Sequence, residues 1–397
     1  MRVFPPALYC PPADRAEWVC YSSQLPDADK RMHHPDSYAR VEKVHFLEPG
    51  LRLGTDEFLE RSASHLQELL KSGAIRKEAP AYGLYRQTLP DGTCFDGWLL
   101  GISILDYEEN RIRKHENTLR ETETRLARNI GYLGAVSEPV LLAARLQPEL
   151  KDLKAVLMAS PSRLDFSDTL GRRHQFWQTQ NPALARVLEK ELRDLGAVYI
   201  ADGHHRSAAT CRHIRDAGLD PLKHGILALL MDQNDLKIKS FHRLITLDAP
   251  SEDLEKVCQA KGWKLEPSGE LLGQPPQGEV WAMSREGFFR LIVPSVRQEN
   301  PAEALDVARL EKEIFPGFFG IENSREDARI SFLRGDTPIA DLHKLLEDGS
   351  TAWIFQVAPN RMDEVNQVAD AGLVMPPKST WIEPKLLNGM LVMRVQP

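Results

Sequence analysis

Apolar and polar positions alternate along this chain in patterns that predict both helices and strands. A helix is predicted from Thr55 to Gly73, because its leucines and one phenylalanine recur on one side. Strands are predicted at 81–89 and 97–104, and the turn at 90–92, with sequence Pro-Asp-Gly, is typical of a hairpin. The charged segment 106–129 is rich in good helix formers, and helices and strands alternate onward to Leu230. This succession predicts a mixed α/β fold.

The pattern breaks at 248–251, so we predict a domain boundary there, between an N-terminal region 1–247 and a C-terminal α/β domain 248–397. In the second domain the pattern predicts strands at 280–283, 288–293 and 352–358, and helices at 302–314 and 339–347. Residues 1 to about 50 are rich in proline and polar residues and are predicted to contain turns.

The densest group of polar residues able to bind a ligand or move a proton lies in the segment 197–210, AVYIADGHHRSAAT. Its first half suits a short buried strand, and Asp202 and Gly203 supply an N-cap candidate and a permissive turn. The apolar positions that follow recur at helical spacing, and Gly218 is placed to end the helix. The segment therefore predicts a strand, a tight turn and a helix start.

A helix start attracts anions, because it presents unpaired backbone N–H groups and the positive end of the helix dipole. Arg206 adds a permanently charged fork, so phosphate is the expected ligand of Asp202–Ser207. His204 and His205 are candidates to donate hydrogen bonds or to move protons. The alternative is that Asp202 caps the helix while the histidines and Arg206 are solvated residues of its first turn.

A second polar cluster, Lys114–Thr118 (KHENT), precedes a predicted helix. Glu116 could take a proton from a substrate hydroxyl or hold Mg²⁺, and His115 could pair with phosphate. The alternative is a set of solvated charges on an amphipathic helix.

Two further segments carry positive charge. Phe241, His242 and Arg243 follow a predicted strand and turn and could face the same anion, although a surface position is the simpler expectation for them. The segment 372–379 differs from a P-loop by one residue, since Pro377 stands where glycine is needed and removes an N–H group from the phosphate cradle. Lys378 and Lys385 remain candidates to add positive charge. GxGxxG and HExxH patterns do not occur in the sequence.

Composition narrows the function classes. The 397 residues include 50 Lys and Arg against 57 Asp and Glu, a formal charge of −7, so no basic balance favours nucleic acid as a partner. The five cysteines are odd in number and form no CxxC pair, which is typical of a reduced compartment. The N-terminus lacks a signal-peptide pattern, and no apolar run approaches 18 residues. We therefore expect a cytoplasmic protein with no membrane partner; the oligomeric state is left open.

Several segments together carry a family resemblance: ADGHHR at 201–206, KHENT at 114–118, FHRLI at 241–245 and MPPKSTWIEPKLLNGMLV at 375–392. In order and spacing they resemble the domain-of-unknown-function family 1015. Through its DGHHR core this family is similar to the ParB and sulfiredoxin-like nucleotide-binding fold and to archaeal free-serine kinases. The resemblance implies a core of that fold with an additional C-terminal α/β domain.

The resemblance also implies a function. Gly203 and Arg206 match the phosphate motif, His204 and His205 match the DGHHR form, and Glu116 corresponds best to a catalytic carboxylate. The implied activity is a phosphotransferase that uses ATP or ADP with Mg²⁺ and acts on a small hydroxyl compound, with free serine as leading acceptor. The implied nucleotide site is Asp202–Ser207 with His242, Arg243 and Lys378.

Two departures from the family pattern leave the acceptor open. An APPYDV-like motif is replaced by PPALYCPPADRAEW at 5–18, and a Pro-Thr-His-Arg element is replaced by Ser240–Arg243. A second hypothesis is therefore a non-catalytic regulatory protein that binds a nucleotide or phosphometabolite. A third, DNA partitioning of the ParB type, is opposed by the negative charge and by the lack of a helix-turn-helix pattern.

Overall fold

The computed structural model describes residues 1–269, 272–295 and 299–395. The chain forms two compact units, Met1–Leu236 with Pro384–Pro397, and Lys237–Glu383. The first unit is thus built from two stretches of sequence, and the second is inserted between them. The sequence-based division at 247/248 differs from this one in two ways. It assigns residues 237–247 to the N-terminal region, and it leaves the last segment with the second domain.

The helices of the first unit are α1 Ala16–Val19, α2 Ala28–Met32, α3 Ala39–Glu42, α4 Val44–Leu47, α5 Asp56–Lys71, α6 Ile104–Glu108, α7 Arg120–Leu133, α8 Pro148–Met158, α9 Pro182–Arg193 and α10 His204–Asp216. Its strands are β1 Val3–Phe4, β2 Leu8–Cys10, β3 Arg76–Lys77, β4 Tyr82–Thr88, β5 Cys94–Ser103, β6 Ile112–Arg113, β7 Ala135–Val136, β8 Val140–Ala144, β9 Leu164–Ser167, β10 Arg173–Thr179, β11 Val198–Asp202 and β12 Gly225–Asp232, together with β21 Val392–Arg394 from the returning segment.

The main sheet of the first unit has the strand order β6-β11-β8-β12-β5-β4-β10-β9, with β1 added alongside β5. It is mixed: β11 runs parallel to β6 and antiparallel to β8, and β12 runs parallel to β8. A smaller sheet has the order β3-β2-β21-β7. Strands β8 and β12 are buried along their whole length, because they lie inside the main sheet and carry apolar residues on both faces.

The strongest local predictions are confirmed. Thr55 caps α5, because its side chain accepts a hydrogen bond from the amide of Phe58. Strands β4 and β5 pair as the predicted hairpin around the turn at 90–92, with Thr88 opposite Cys94. The proline-rich first 50 residues are not all turns, since they also contain two short strands and four short helices.

The second unit is built around a sheet of order β15-β17-β16-β19-β14-β18, and a separate ladder pairs β13 with β20. Its strands are β13 Lys237–Lys239, β14 Phe241–Ile245, β15 Lys264–Ser268, β16 Glu279–Ser284, β17 Gly287–Ile292, β18 Ile330–Arg334, β19 Trp353–Val357 and β20 Trp381–Glu383. Its helices are α11 Ser251–Ala260, α12 Asp306–Arg309, α13 Phe315–Phe319, α14 Ile339–Glu347 and α15 Met362–Asp370, with a π-helical turn Leu310–Ile314 between α12 and α13.

Both units mix helices with sheets, so the predicted mixed α/β class is confirmed. The helix predicted at 302–314 begins later and is interrupted by the π-helical turn. Within the described part of the chain, no helix is long and apolar enough to cross a membrane.

Candidate functional site

Two of the predicted polar clusters meet at one edge of the main sheet. Strands β6 and β11 are parallel neighbours, with Ile112 opposite Val198 and Arg113 opposite Tyr199. The carboxyl ends of parallel neighbours lie at the same edge of a sheet, so the segment Lys114–Thr118 and the start of α10 leave the sheet side by side. This pairing brings together residues 89 positions apart in sequence.

A histidine pair joins the two segments. The backbone amide of His115 donates to Nε2 of His204 over 3.5 Å, and the two rings meet edge to face with centroids 4.5 Å apart. Since Nε2 of His204 accepts this bond, its proton belongs on Nδ1, which faces Oε2 of Glu116 at 3.7 Å. Glu116 is half exposed, with 48% of its side chain accessible. The cluster therefore offers one accessible carboxylate backed by two buried imidazoles.

Both imidazoles are neutral at neutral pH. Burial lowers the pKa of His115 to about 4, and Asp202 opposes the shift only in part. Burial, followed by the neighbouring His115, lowers the pKa of His204 well below its ordinary value. The two rings are 3% and 4% exposed, so the interpretation of these residues as solvated charges is wrong.

Gly203, rather than Asp202, occupies the N-cap position of α10, and no side chain caps the helix. The predicted capping role of Asp202 is therefore wrong, because this residue ends β11 and its carboxylate is used elsewhere. Gly203 has φ +101°, and a Cβ there would lie 2.9 Å from Nη2 of Arg206. Only glycine allows the guanidinium to fold back over the turn at this backbone conformation.

The carboxylate of Asp202 holds two cations. Its Oδ2 accepts from Nη2 of Arg206 at 3.0 Å, and its Oδ1 accepts from Nζ of Lys385 at 2.8 Å. Burial alone would raise the pKa of Asp202, but the charges of Arg206 and Lys385 outweigh it and lower the pKa to about 2. Asp202 is therefore ionised at all physiological pH values.

Arg206 is fixed by a second carboxylate as well. Its Nη1 lies 2.5 Å from Oε2 of Glu138, and Nη2 also donates to the carbonyl of Pro139 at 3.2 Å. The guanidinium is thus held in one orientation beside the start of α10, with 26% of its side chain accessible. The interpretation of Arg206 as a solvated first-turn residue is wrong, because two carboxylates hold it.

The other residues of the turn differ in accessibility. Ser207 is fully buried and its hydroxyl donates to the carbonyl of Gly203 at 3.1 Å. His205 is half buried, and its Nδ1 has no hydrogen-bond partner within the described residues. The amides of the first turn, from His204 to Arg206, have no intrahelical acceptors because they begin the helix. The turn therefore presents backbone donors next to a fixed positive charge.

A buried hydrogen-bond chain positions the segment that carries Lys385. Nε2 of Gln87 donates to the carbonyl of Lys385 at 3.1 Å and to the hydroxyl of Tyr85 at 3.2 Å. That hydroxyl lies 2.8 Å from Nδ1 of His174, whose Nε2 lies 3.1 Å from Asp168. Tyr85 and His174 are completely buried, so the chain is rigid support rather than accessible chemistry.

The remaining predicted residues, His242, Arg243 and Lys378, lie in the second unit. The expectation of a surface position for His242 and Arg243 is wrong, because both side chains are buried in strand β14. Arg243 donates to Glu311 at 3.0 Å and to the carbonyls of Phe241 and Pro377. Burial, assisted by Arg243, lowers the pKa of His242 to about 4.

Lys378 has a positive φ of 51° and places its Nζ 5.6 Å from the ring centre of Phe241. After Lys378 the chain enters strand β20 rather than a helix, as the sequence predicts for a segment that is not a P-loop. A role for His242, Arg243 and Lys378 in nucleotide binding stays a prediction.

Sequence reasoning missed Glu138, the second partner of Arg206, and treated Lys385 only as a source of positive charge. Glu138 lies two residues before the buried strand β8, and the start of β8 pairs with the end of β11. This position is the feature of the sequence that could have indicated it. Lys385 lies in the segment 375–392 that carries the family resemblance. Neither pairing could be read from sequence spacing, since Lys385 and Asp202 are 183 residues apart.

In the described ranges no group of three or more His, Cys, Asp or Glu side chains is arranged to hold a metal ion. Glu116 is a single accessible carboxylate, whereas Asp202 and Glu138 are paired with the side chains of Arg206 and Lys385. This donor set suits Mg²⁺ only in the form common in phosphoryl transfer, where one or two carboxylates act together with phosphate oxygens.

The model of a family described as protein of unknown function, DUF1015, matches residues 24–308. The chain belongs to this family. The match includes the KHENT and DGHHR segments and ends before Lys385. No curated protein matches the sequence of this DUF1015 member.

Several solved structures resemble the DUF1015 chain. A free serine kinase variant in complex with AMP has a TM-score of 0.40 and 13% identity, and the alignment covers 75% of this chain and 92% of the kinase. A free serine kinase variant in complex with ADP has a TM-score of 0.39, 13% identity and the same two coverages. SbnI with a C-terminal truncation, from Staphylococcus aureus, has a TM-score of 0.37 and 13% identity over 75% of this chain and 87% of its own.

Proposed function

We propose that this DUF1015 protein is a nucleotide-dependent phosphotransferase that acts on a small hydroxyl compound. One observation carries the proposal: the accessible carboxylate of Glu116 lies beside the uncapped start of α10, where Gly203 and Arg206 lie. The resemblance of the DGHHR segment to ParB and sulfiredoxin-like nucleotide-binding proteins supports it. Free serine is the first acceptor to test.

The start of α10 is assigned to phosphate. Backbone amides from His204 to Arg206 point along the helix axis, and the helix dipole adds partial positive charge at the same place. Helix α10 has thirteen residues, so the peptide dipoles of more than three turns add up at its start. Arg206 and Lys385 keep two cations near the phosphates of ATP or ADP, while Asp202 and Glu138 fix where the arginine lies.

Glu116 is assigned as general base. It takes the proton from the acceptor hydroxyl, whose oxygen then forms a bond to the terminal phosphorus while the bond from that phosphorus to the bridging oxygen breaks. The products are a phosphate ester, a nucleotide with one phosphoryl group fewer, and protonated Glu116. Because Glu116 acts as the base in this proposal, Mg²⁺ would be held by phosphate oxygens, where it would neutralise part of the charge of the transferred group.

His204 is assigned as a positioning residue. Its pKa lies well below neutrality, so it is neither a strong base nor a protonated acid under physiological conditions. With the proton on Nδ1 it orients Glu116, and the amide of His115 fixes this tautomer. The predicted proton-transfer role among His115, Glu116, His204 and His205 therefore falls to Glu116 in this proposal.

The test combines calorimetric titration of ATP, ADP and CTP in the presence of Mg²⁺ with a phosphate-transfer assay on serine and related hydroxy compounds. Glu116→Gln should lower kcat by about 10²- to 10⁴-fold, the usual contribution of a general base, and leave nucleotide affinity nearly unchanged. Glu121→Gln is the matched control, since Glu121 is an exposed glutamate in the first turn of α7. It should change neither quantity.

Three outcomes are decisive. Transfer that is lost in Glu116→Gln and kept in Glu121→Gln supports the proposal. Nucleotide binding with no transfer to any hydroxyl compound supports the non-catalytic regulatory alternative. Failure to bind ATP, ADP or CTP refutes the phosphotransferase and the nucleotide-binding form of the regulatory alternative.

A further inference from the structure

The first unit contains a second candidate site, a cavity of about 550 Å³ between helix α7 and the segment 41–59. Its inner wall is apolar and tightly buried: Leu59, Ile130 and Val140 are 1%, 7% and 2% exposed. Of the site residues described above, only Glu138 and Arg206 line it. The cavity is therefore separate from the Glu116 edge and adjoins it through one ion pair.

The mouth of the cavity exposes large apolar side chains. Phe46 and Leu53 line it and are 58% and 53% exposed. The side chain of Arg125 lies across the neighbouring Gly54, since a Cβ on this glycine would be 3.4 Å from the arginine's Cδ. Exposed apolar groups around a concave apolar interior are typical of a small-molecule site, and the volume falls within the usual range.

The charges of the cavity favour an anion. Lys43 and Arg125 both line it, and neither has an ion pair within 4 Å in the described part of the chain. Arg206 is balanced by Glu138. Glu42 accepts hydrogen bonds from Ser137 and Asn388, which are neutral groups.

Glu42 does not offset the two free cations. Burial, followed by the neighbouring charge of Glu138, raises its pKa to about 8, so Glu42 is largely protonated at neutral pH. A protonated carboxyl group can donate a hydrogen bond to an anionic ligand, which an ionised one would repel. The lining therefore carries a net positive charge next to an apolar interior.

We propose that this cavity binds a small organic acid with an apolar body, whose anionic group faces Lys43 and Arg125 while its apolar part fills the interior. The site is independent of the proposed phosphotransfer. Binding here can occur whether or not the protein uses a nucleotide, so the two proposals fail separately.

The probes are octanoate, octanol and octylammonium, which share an apolar chain and differ in the charge of the head group. In calorimetric titrations of the full chain at neutral pH, octanoate should bind most tightly, octanol less tightly and octylammonium least tightly. The two partly exposed ion pairs predict that octanoate binds about tenfold more tightly than octylammonium. Equal or tighter binding of octylammonium, or no binding of any probe, would overturn the proposal.

Two variants locate the site. Arg125→Gln should weaken octanoate binding roughly two- to fivefold and leave octanol unchanged, because it removes one exposed ion pair. Arg120→Gln is the matched control, an exposed arginine at the start of the same helix that does not line the cavity. Leu53→Asp, at an exposed position, should reverse the preference between octanoate and octylammonium. If Arg120→Gln weakens octanoate as much as Arg125→Gln does, the probe binds elsewhere and the proposal is wrong.

Discussion

Lowering the pH from 7 to 5 should destabilise the first unit, and His115 sets part of the size of the effect. Its side chain is 3% exposed and its pKa in the folded state is about 4, whereas an unfolded histidine titrates near 6.5. Because the folded pKa is the lower one, the unfolded chain binds the proton first. The contribution of His115 to the stability of the first unit is therefore fully present above about pH 6.5 and is lost as the pH falls toward 4. At pH 5 the loss from His115 is about 2 kcal/mol.

The assay is a urea titration at both pH values, followed by hydrogen exchange of the amides in β6 and β11. Protection factors at these strands report opening of the first unit and correct for the intrinsic pH dependence of exchange. His115→Gln should be less stable at pH 7, yet lose about 2 kcal/mol less than the wild type between pH 7 and pH 5. His33→Gln, at an exposed histidine of the same unit, should keep the wild-type pH dependence.

His204 acts in the same direction as His115 and remains in the variant, so some pH dependence should persist. An identical loss of stability in His115→Gln and wild type would show that His115 is not kept neutral by burial.

Three further predictions, which use four substitutions, are tested by urea denaturation. Gly218→Ala should lower the free energy of unfolding by about 1 kcal/mol, because this glycine has a positive φ. Gly203 also has a positive φ, and Gly203→Ala should lose more than Gly218→Ala and weaken nucleotide binding, because its Cβ displaces Arg206. Equal effects of the two substitutions would refute the fold-back geometry. Tyr85→Phe should cost about 1–3 kcal/mol by leaving its buried histidine and glutamine partners unpaired, and a neutral result would contradict the buried hydrogen-bond chain. Arg243→Ala should cost about 3–5 kcal/mol because Glu311 loses its partner, and a loss below 1 kcal/mol would show that the pair is solvated.

Local structure could be predicted from this sequence where neighbouring residues determine it. Helix α5, with its threonine cap and one apolar side, and the β4–β5 hairpin, with its Pro-Asp-Gly turn, follow from short-range patterns. The strand, turn and helix around Gly203 follow for the same reason, except that the cap residue was misassigned. The carboxylate of Asp202 bonds instead to Arg206 and Lys385, and Lys385 lies 183 residues away, so local sequence does not reveal it.

The site itself depends on pairings across long stretches of chain. That Glu116 lies beside His204 depends on the parallel pairing of β6 with β11, and a two-residue strand such as β6 leaves almost no periodic signal. The burial of His242 and Arg243 depends on β14 lying between β18 and β19, whereas the charged dipeptide alone suggests exposure. Ion pairs such as Arg206 with Glu138 are fixed only once these strands are in register.

The insertion of the second unit has a consequence for how the protein is made. Ribosomal synthesis is vectorial, so all of Lys237–Glu383 is produced before the segment that carries Lys385 and β21. Until then β2 and β7 lack the strand that joins them, and Asp202 lacks one of its two cations. The first unit therefore cannot finish folding, and its charge balance around Asp202 cannot be established, until the inserted unit has been translated.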